Sequence, residues 1–157
     1  MTKSIIKKAI DWGQKKSPWI MYFNGGACKG CESEALDAAA PRFDMERFGM
    51  RQTSDPSHAD ILICTGAVTL QTKEKLRLIY EQMPEPKLVI AAGACACSGG
   101  IFEDCYCVCG GIDSVIPVDA YVPGCAANPE AIIDAVNMLI LARQEEDDPE
   151  DTEREER

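Results

Sequence analysis

Histidine is nearly absent from this 157-residue chain, aromatics supply only 6 % of it, and basic residues are outnumbered by acids. The single histidine, His58, leaves no histidine pair from which a zinc site of mixed ligands is usually built. It precedes an apolar run, where it reads as an exposed or capping residue. With 16 Lys and Arg against 26 Asp and Glu, the net charge is −10. That balance argues against nucleic acid as a partner, because phosphate backbones recruit basic surface. No stretch reaches the roughly 18 apolar residues of a membrane span. Ile5 to Ile10 is broken by lysines and has no small-residue cleavage site, so no secretory signal is expected. These absences point to a cytosolic or peripheral protein.

The length suits one domain with a proper core. An apolar content of 46 % with so few aromatics fits a compact α/β unit built on Val, Ile, Leu and Ala. Charge is unevenly placed. Residues 1–16 carry five lysines against Asp11, and Ile5, Ile6, Ala9 and Ile10 fall on one side of a helix. Residues 1–18 are therefore expected to form a basic amphipathic helix, closed by Gly13 and Pro18, that packs on a membrane subunit or lies at an anionic interface. Residues 145–157 hold nine acids against Arg154 and Arg157, with Pro149 and almost nothing apolar. That tail is expected to be disordered and solvating. The folded domain should span 19–144.

Within it, Trp19 to Phe23 reads as a buried strand ending in Asn24-Gly25-Gly26, followed by a helix from Glu32 to Ala40 stopped by Pro41. Asp55-Pro56-Ser57 is a turn, and Ala59 to Cys64 a second buried strand closed by Thr65-Gly66. The spacing of Leu76, Ile79, Tyr80 and Met83 predicts a helix over 73–83. Leu88 to Ala92 is a third strand, and 93–111 a long excursion rich in Cys and Gly. Val115 to Val118 and Ala120 to Val122 give a further strand around Pro117. Asn128 caps a last helix that has Pro129 at its first position and runs to about Arg143. Apolar strands alternating with helices predict an open parallel sheet covered by helices on both faces. Ligands of such sheets bind outside the carboxyl ends of the strands.

Nine cysteines are too many for core filler in a reducing compartment, and their grouping points to metal before disulfides. Cys28-Lys29-Gly30-Cys31 follows the first strand, Gly93-Ala94-Cys95 the third and Pro123-Gly124-Cys125 the last. Four thiolates offered from three strand ends can enclose an iron–sulfur cube. Each stands near a glycine that lets backbone approach and leaves amide N–H groups available to cluster sulfides. Structural zinc and a redox dithiol are the competing chemistries for a Cys-x-x-Cys pair. Cys64 reads as a core thiol. Cys97 can act as an alternate ligand if its loop slips. Cys105, Cys107 and Cys109 alternate, so in extended backbone all three would face one way, as a second metal site, a redox-sensitive patch or simple packing.

Several runs together carry a resemblance: Cys28-x-x-Cys31-x-x-Glu34, Arg42 to Gly49, Ala59-Asp60-Ile61-Leu62, Thr65-Gly66, Pro84-Glu85-Pro86-Lys87, Gly93-Ala94-Cys95 with Ser98-Gly99-Gly100, and Pro117-Val118-Asp119 leading to Pro123-Gly124-Cys125. Over about residues 19–143 the chain resembles the small subunit of membrane-bound, energy-converting nickel–iron hydrogenases, related to the cluster-bearing subunit of respiratory complex I. The resemblance implies a flavodoxin-like fold and one 4Fe-4S cluster held by Cys28, Cys31, Cys95 and Cys125. It implies an electron-transfer role between the ferredoxin-type clusters of a neighbouring iron–sulfur subunit and the active site of a large catalytic subunit. The complex would sit on the cytoplasmic side of the membrane, with a membrane-arm subunit near the N-terminal helix. Arg47 and Phe48 would lie near the large subunit, and Glu34 would orient the cysteine loop, serve a proton path or favour a helix N-terminus. Three departures stand out. The pair is Cys-x-x-Cys where complex I subunits have adjacent cysteines, Ala126 and Ala127 replace prolines, and Lys29 places a cation that favours a reduced cluster. Two alternatives stay open: the same relay in a nickel-free quinone or sulfur reductase, and a stand-alone zinc or redox-sensing module.

Overall fold

A computed structural model of the chain describes residues 13, 16–26 and 28–147. The basic helix expected over 1–18 therefore lies almost wholly outside the described residues, as does the acidic tail from residue 148. Seven strands are described: β1 (Trp19–Asn24), β2 (Arg51–Gln52), β3 (Ile61–Thr65), β4 (Val68–Thr69), β5 (Leu88–Ala92), β6 (Val108–Gly110) and β7 (Ala120–Val122). Four α-helices accompany them: α1 (Gly30–Asp37), α2 (Leu70–Gln82), α3 (Ala94–Ser98) and α4 (Pro129–Asp147).

Five strands make one parallel sheet in the order β2-β1-β3-β5-β7. Counting only those strands, this is the flavodoxin-like order 2-1-3-4-5. The central strand β3 is buried along its whole length, as a strand covered on both faces must be. Its side chains alternate. Ile61 and Ile63 join Ile20, Ile90 and Val122 in a core closed by Ala35 of α1 and by Ile132, Ile133 and Val136 of α4. Leu62 and Cys64 join Val89 and Ala91 in a second core closed by Leu76 of α2, Ala96 of α3 and Ile112. Cys64 is fully buried there, the core thiol its strand position implied.

Two carboxylates tie off the amino ends of strands. Asp60 Oδ2 accepts from the Trp19 N–H at 2.9 Å and Asp119 Oδ2 from the Val89 N–H at 2.7 Å. These bonds fix where neighbouring strands begin, and so where they end.

Some elements depart from the sequence reading. The second strand is Ile61–Thr65 rather than 59–64, because Ala59 and Asp60 serve as its lead-in. Helix α1 begins two residues early and ends at Asp37, since Ala39 and Ala40 donate to carbonyls three residues back and tighten the chain into turns before Pro41. Helix α2 starts at Leu70 instead of 73 through a reciprocal cap: the Thr72 N–H donates to Thr69 Oγ1 while the Thr69 N–H donates to Thr72 Oγ1. Of the strand expected over 115–122 only Ala120–Val122 pairs, Ile112–Ser114 being a 3-10 turn. Pro117 has no N–H to give a ladder. The excursion over 93–111 is not structureless. It forms α3 and then β6, which pairs antiparallel with β4. Helix α4 begins as expected, with the Glu130 N–H donating to Asn128 Oδ1 at 3.1 Å, and it continues to Asp147.

The two cores carry a simple test. Leu76 is fully buried whereas Leu78, on the same helix, is 55 % exposed. Leu76→Ala is expected to cost about 2–5 kcal/mol and Leu78→Ala less than about 0.5 kcal/mol, read as shifts of the urea midpoint at constant slope.

Candidate functional site

The cysteine-bearing loops leave the carboxyl ends of β1, β5 and β7, on one rim of the sheet. Behind β1 the chain is pinned before it reaches Cys28. The Gly25 N–H donates to the Thr65 carbonyl at 2.8 Å, and Thr72 Oγ1 donates to the Gly25 carbonyl at 2.6 Å. Asn24 holds both sides of the turn: its Oδ1 accepts from the Gly26 N–H at 3.0 Å and its Nδ2 donates to Glu32 Oε2 at 2.6 Å. Lys29, between the paired cysteines, takes φ of 68° and its carbonyl accepts from the Ser33 N–H at 2.9 Å, turning the chain straight into α1.

The second and third loops are joined by backbone. The Gly93 N–H donates to the Val122 carbonyl and the Ala94 N–H to the Gly124 carbonyl, both at 2.8 Å. Cys95 lies in the first turn of α3 and Cys125 just beyond Gly124. Gly93 has φ of 95°, and a Cβ placed there would overlap Cys31 Sγ. The first cysteine loop thus lies directly on the second. A Cβ on Gly30 would meet Cys28 Sγ at 3.5 Å and Ala126 Cβ at 3.7 Å, so the first loop also reaches the third.

The thiols sense one another. Cys95 is pushed above the ordinary thiol range first by burial and then by the neighbouring charges of Cys125, Cys31 and Cys28. Cys31 and Cys95 are half-buried, whereas Cys28 and Cys125 are exposed. Among the described residues, no three side chains of His, Cys, Asp or Glu stand close enough to hold a single metal ion. Tetrahedral zinc with bonds of ~2.3 Å needs its sulfurs within about 3.8 Å of one another. Thiolates on a cubane each bind a separate iron, so the four stand further apart. Four cysteine sulfurs on neighbouring loops are the donor set such a cluster takes.

The remaining candidates fall elsewhere. Cys97 Sγ points back at the sheet, 3.6 Å from the Ala91 carbonyl and 3.9 Å from that of Val122. Burial, then Asp113 and Cys31, push its thiol up. Cys105, Cys107 and Cys109 do not share a face. The first two are exposed in a turn and Cys109 packs on the second core from β6. Extended backbone begins only at Val108, which is why the alternation misled. His58 is exposed, its side chain 73 % accessible. Glu34 is half-buried on α1. Arg47 and Phe48 are exposed on a 3-10 turn, the guanidinium carbon 5.1 Å from the ring centroid. Sequence reasoning missed Asn24, Glu32 and Thr72 as supports of the cysteine loop. Asn before Gly-Gly at a strand end, and Thr-x-x-Thr before a helical run, were the available signals.

The chain belongs to the family described as NADH ubiquinone oxidoreductase, 20 Kd subunit, which matches residues 28–139. It is 46 % identical over 125 residues to the probable membrane-bound hydrogenase subunit mbhJ of Pyrococcus furiosus, covering 80 % of this chain and 75 % of that protein. It is 47 % identical over 130 residues to an NADH-quinone oxidoreductase subunit of Geotalea daltonii, covering 83 % of this chain and 74 % of that one. A chain in the structure of the archaeal membrane-bound sulfane sulfur reductase superposes with a TM-score of 0.73 at 38 % identity, over 84 % of this chain and 73 % of that chain. The family is one of oxidoreductase-complex subunits, and the hydrogenase and complex I resemblance read from the motifs holds.

Gly93 offers a test of loop contact. Gly93 and Gly110 both have positive φ, 95° and 105°, but nothing lies within 4 Å of a Cβ built on Gly110. Gly110→Ala should cost only the backbone term, about 1–2 kcal/mol. Gly93→Ala should cost clearly more, because Cys31 must also move. Urea unfolding of both variants checks this; equal losses would separate Gly93 from Cys31.

Proposed function

We propose that this chain is the electron-relay subunit of a membrane-associated oxidoreductase complex, and that Cys28, Cys31, Cys95 and Cys125 hold one 4Fe-4S cluster. The observation that supports this most is the grouping of four thiols on the loops that follow three strand ends, close enough for Cys125, Cys31 and Cys28 to act on Cys95. When bound, such a cluster stores and releases single electrons. The chain's own residues set the terms on which it does so. Half-buried Cys31 and Cys95 hold the inner side of the site against the sheet, and exposed Cys28 and Cys125 hold the side open to a partner. Burial, nearby charge and amide hydrogen bonds then tune the potential.

The partners in this reading are a hydrogenase-type large subunit facing the rim and a ferredoxin-like iron–sulfur subunit. A membrane-arm subunit would lie near residues 1–18, on the cytoplasmic side of the membrane. Among the described residues no helix is long and apolar enough to cross a membrane, which suits peripheral attachment. The leading reading is a nickel–iron hydrogenase complex, supported by 46 % identity to the Pyrococcus furiosus hydrogenase subunit. A second reading, sulfur or quinone reduction without nickel, is supported by the TM-score of 0.73 to the sulfane sulfur reductase chain. Reduction of the cluster by hydrogen in the purified complex selects the first, and oxidation of the reduced complex by polysulfide or quinone, with no response to hydrogen, selects the second.

Ligation itself is tested by Cys125→Ser. The exposed Cys125 contributes nothing to either core, so the sheet should persist by circular dichroism. About four irons per chain should fall, or the EPR signal should convert to that of a smaller cluster. Unchanged iron and an unchanged spectrum would remove Cys125 from the ligand set.

A further inference from the structure

Four of the nine cysteines meet at the rim, Cys64 is buried, and Cys97 and Cys109 are half-buried against the second core. Cys105 and Cys107 are unlike all of these. Both are exposed, neither is among the thiols that act on Cys95, and Tyr106 between them is 98 % exposed. Cysteine is among the residue types most often buried, so two solvent-facing thiols one residue apart are not explained by packing.

Their backbone is a turn. The Cys105 N–H donates to the Phe102 carbonyl at 3.0 Å, and the Val108 N–H donates to the Cys105 carbonyl at 2.9 Å. The second bond closes a four-residue turn with Cys105 first and Cys107 third. Two Cα–Cα steps of about 3.8 Å bent near a right angle span roughly 5.4 Å. That lies inside the window of roughly 4.4–6.8 Å that a disulfide bridges. The turn is also anchored. The Leu70 N–H donates to the Cys107 carbonyl at 2.9 Å, and β6, which follows directly, is paired to β4. The backbone carrying the two cysteines is therefore held at a Cα spacing that a disulfide can bridge, by hydrogen bonds that do not involve either sulfur.

We propose that Cys105 and Cys107 form a redox-active dithiol, a surface modification site made of residues outside the four-cysteine set, that closes to an intrachain disulfide by exchange with a low-molecular-weight disulfide. One cysteine thiolate attacks a sulfur of the small disulfide, breaking its S–S bond and releasing one small thiol. The second cysteine thiolate attacks the protein sulfur of that mixed disulfide, forming the Cys105–Cys107 bond and releasing the second small thiol. Two protein thiols are oxidised, the small disulfide is reduced, and the two cysteine protons end on the two thiols released. This proposal does not rest on the cluster reading, because neither residue belongs to the proposed ligand set.

The test uses the full chain, purified anaerobically and treated with oxidised glutathione, then denatured and alkylated. Cleavage before Asp104 and Asp113 yields a 104–112 peptide that contains Cys105, Cys107 and Cys109. The expected product carries one alkyl group and lacks two hydrogens, and it gains three alkyl groups when dithiothreitol precedes alkylation. Cys109→Ser should keep the bridge, and Cys105→Ser should abolish it and trap glutathione on Cys107. Three alkyl groups without reductant, two stable glutathione adducts, or a bridge that survives Cys105→Ser would each overturn the proposal.

Discussion

Backbone must come within contact distance of sulfur at the carboxyl rim of the sheet, and the rest of the fold is arranged around that approach. Gly93 leaves β5 with a φ of 95° and no side chain, and Cys31 Sγ occupies the space a Cβ would take. The same residue donates its N–H to the Val122 carbonyl, and Ala94 donates to Gly124. One short stretch of backbone therefore brings the first cysteine loop, the second and the third into a single group. A larger residue at 93 would separate them. Parallel pairing of β1, β3, β5 and β7 sets the height of each strand end, and the carboxylates of Asp60 and Asp119 fix the opposite ends. Two apolar cores then lock the sheet from both sides.

Crowding four thiols has an electrostatic cost. The upward displacement of Cys95 arises from burial and from three neighbouring thiols, and it disfavours four simultaneous anions at an empty site. In the proposed relay, that conflict would be relieved once the four thiolates shared their charge with bound iron. Ligand binding and folding are coupled at such sites, since thiolates must form as metal enters. In the proposed relay, the outward pair Cys28 and Cys125 faces the partner, while Arg47 and Phe48 extend exposed surface on a separate turn.

The parallel sheet was legible because β3 and β5 are continuous apolar runs, and only helices on both faces can cover them. The grouping of Cys28, Cys31, Cys95 and Cys125 was legible because each follows a strand and has a glycine within two residues. What failed to show was local and cooperative. The two-residue strands β2 and β4 have no period to detect, and β6 pairs only because β4 lies across from it. The early start of α2 depends on two threonine hydroxyls acting together, and the second of them also grips the Gly25 carbonyl. Alternating cysteines at 105–109 suggested one face, but hydrogen bonding from Val108 to Cys105 bends the chain before a strand can form. Periodicity reports burial; it does not report which short segment finds a partner.

The central claim is that one metal centre sits among these four sulfurs. Anomalous diffraction at the iron edge from anaerobically grown crystals of the complex measures this directly. The account predicts a single compact iron peak at the rim, within bonding reach of Cys28, Cys31, Cys95 and Cys125 alone. Iron located at other side chains, or a rim peak that appears at the zinc edge instead, would contradict it.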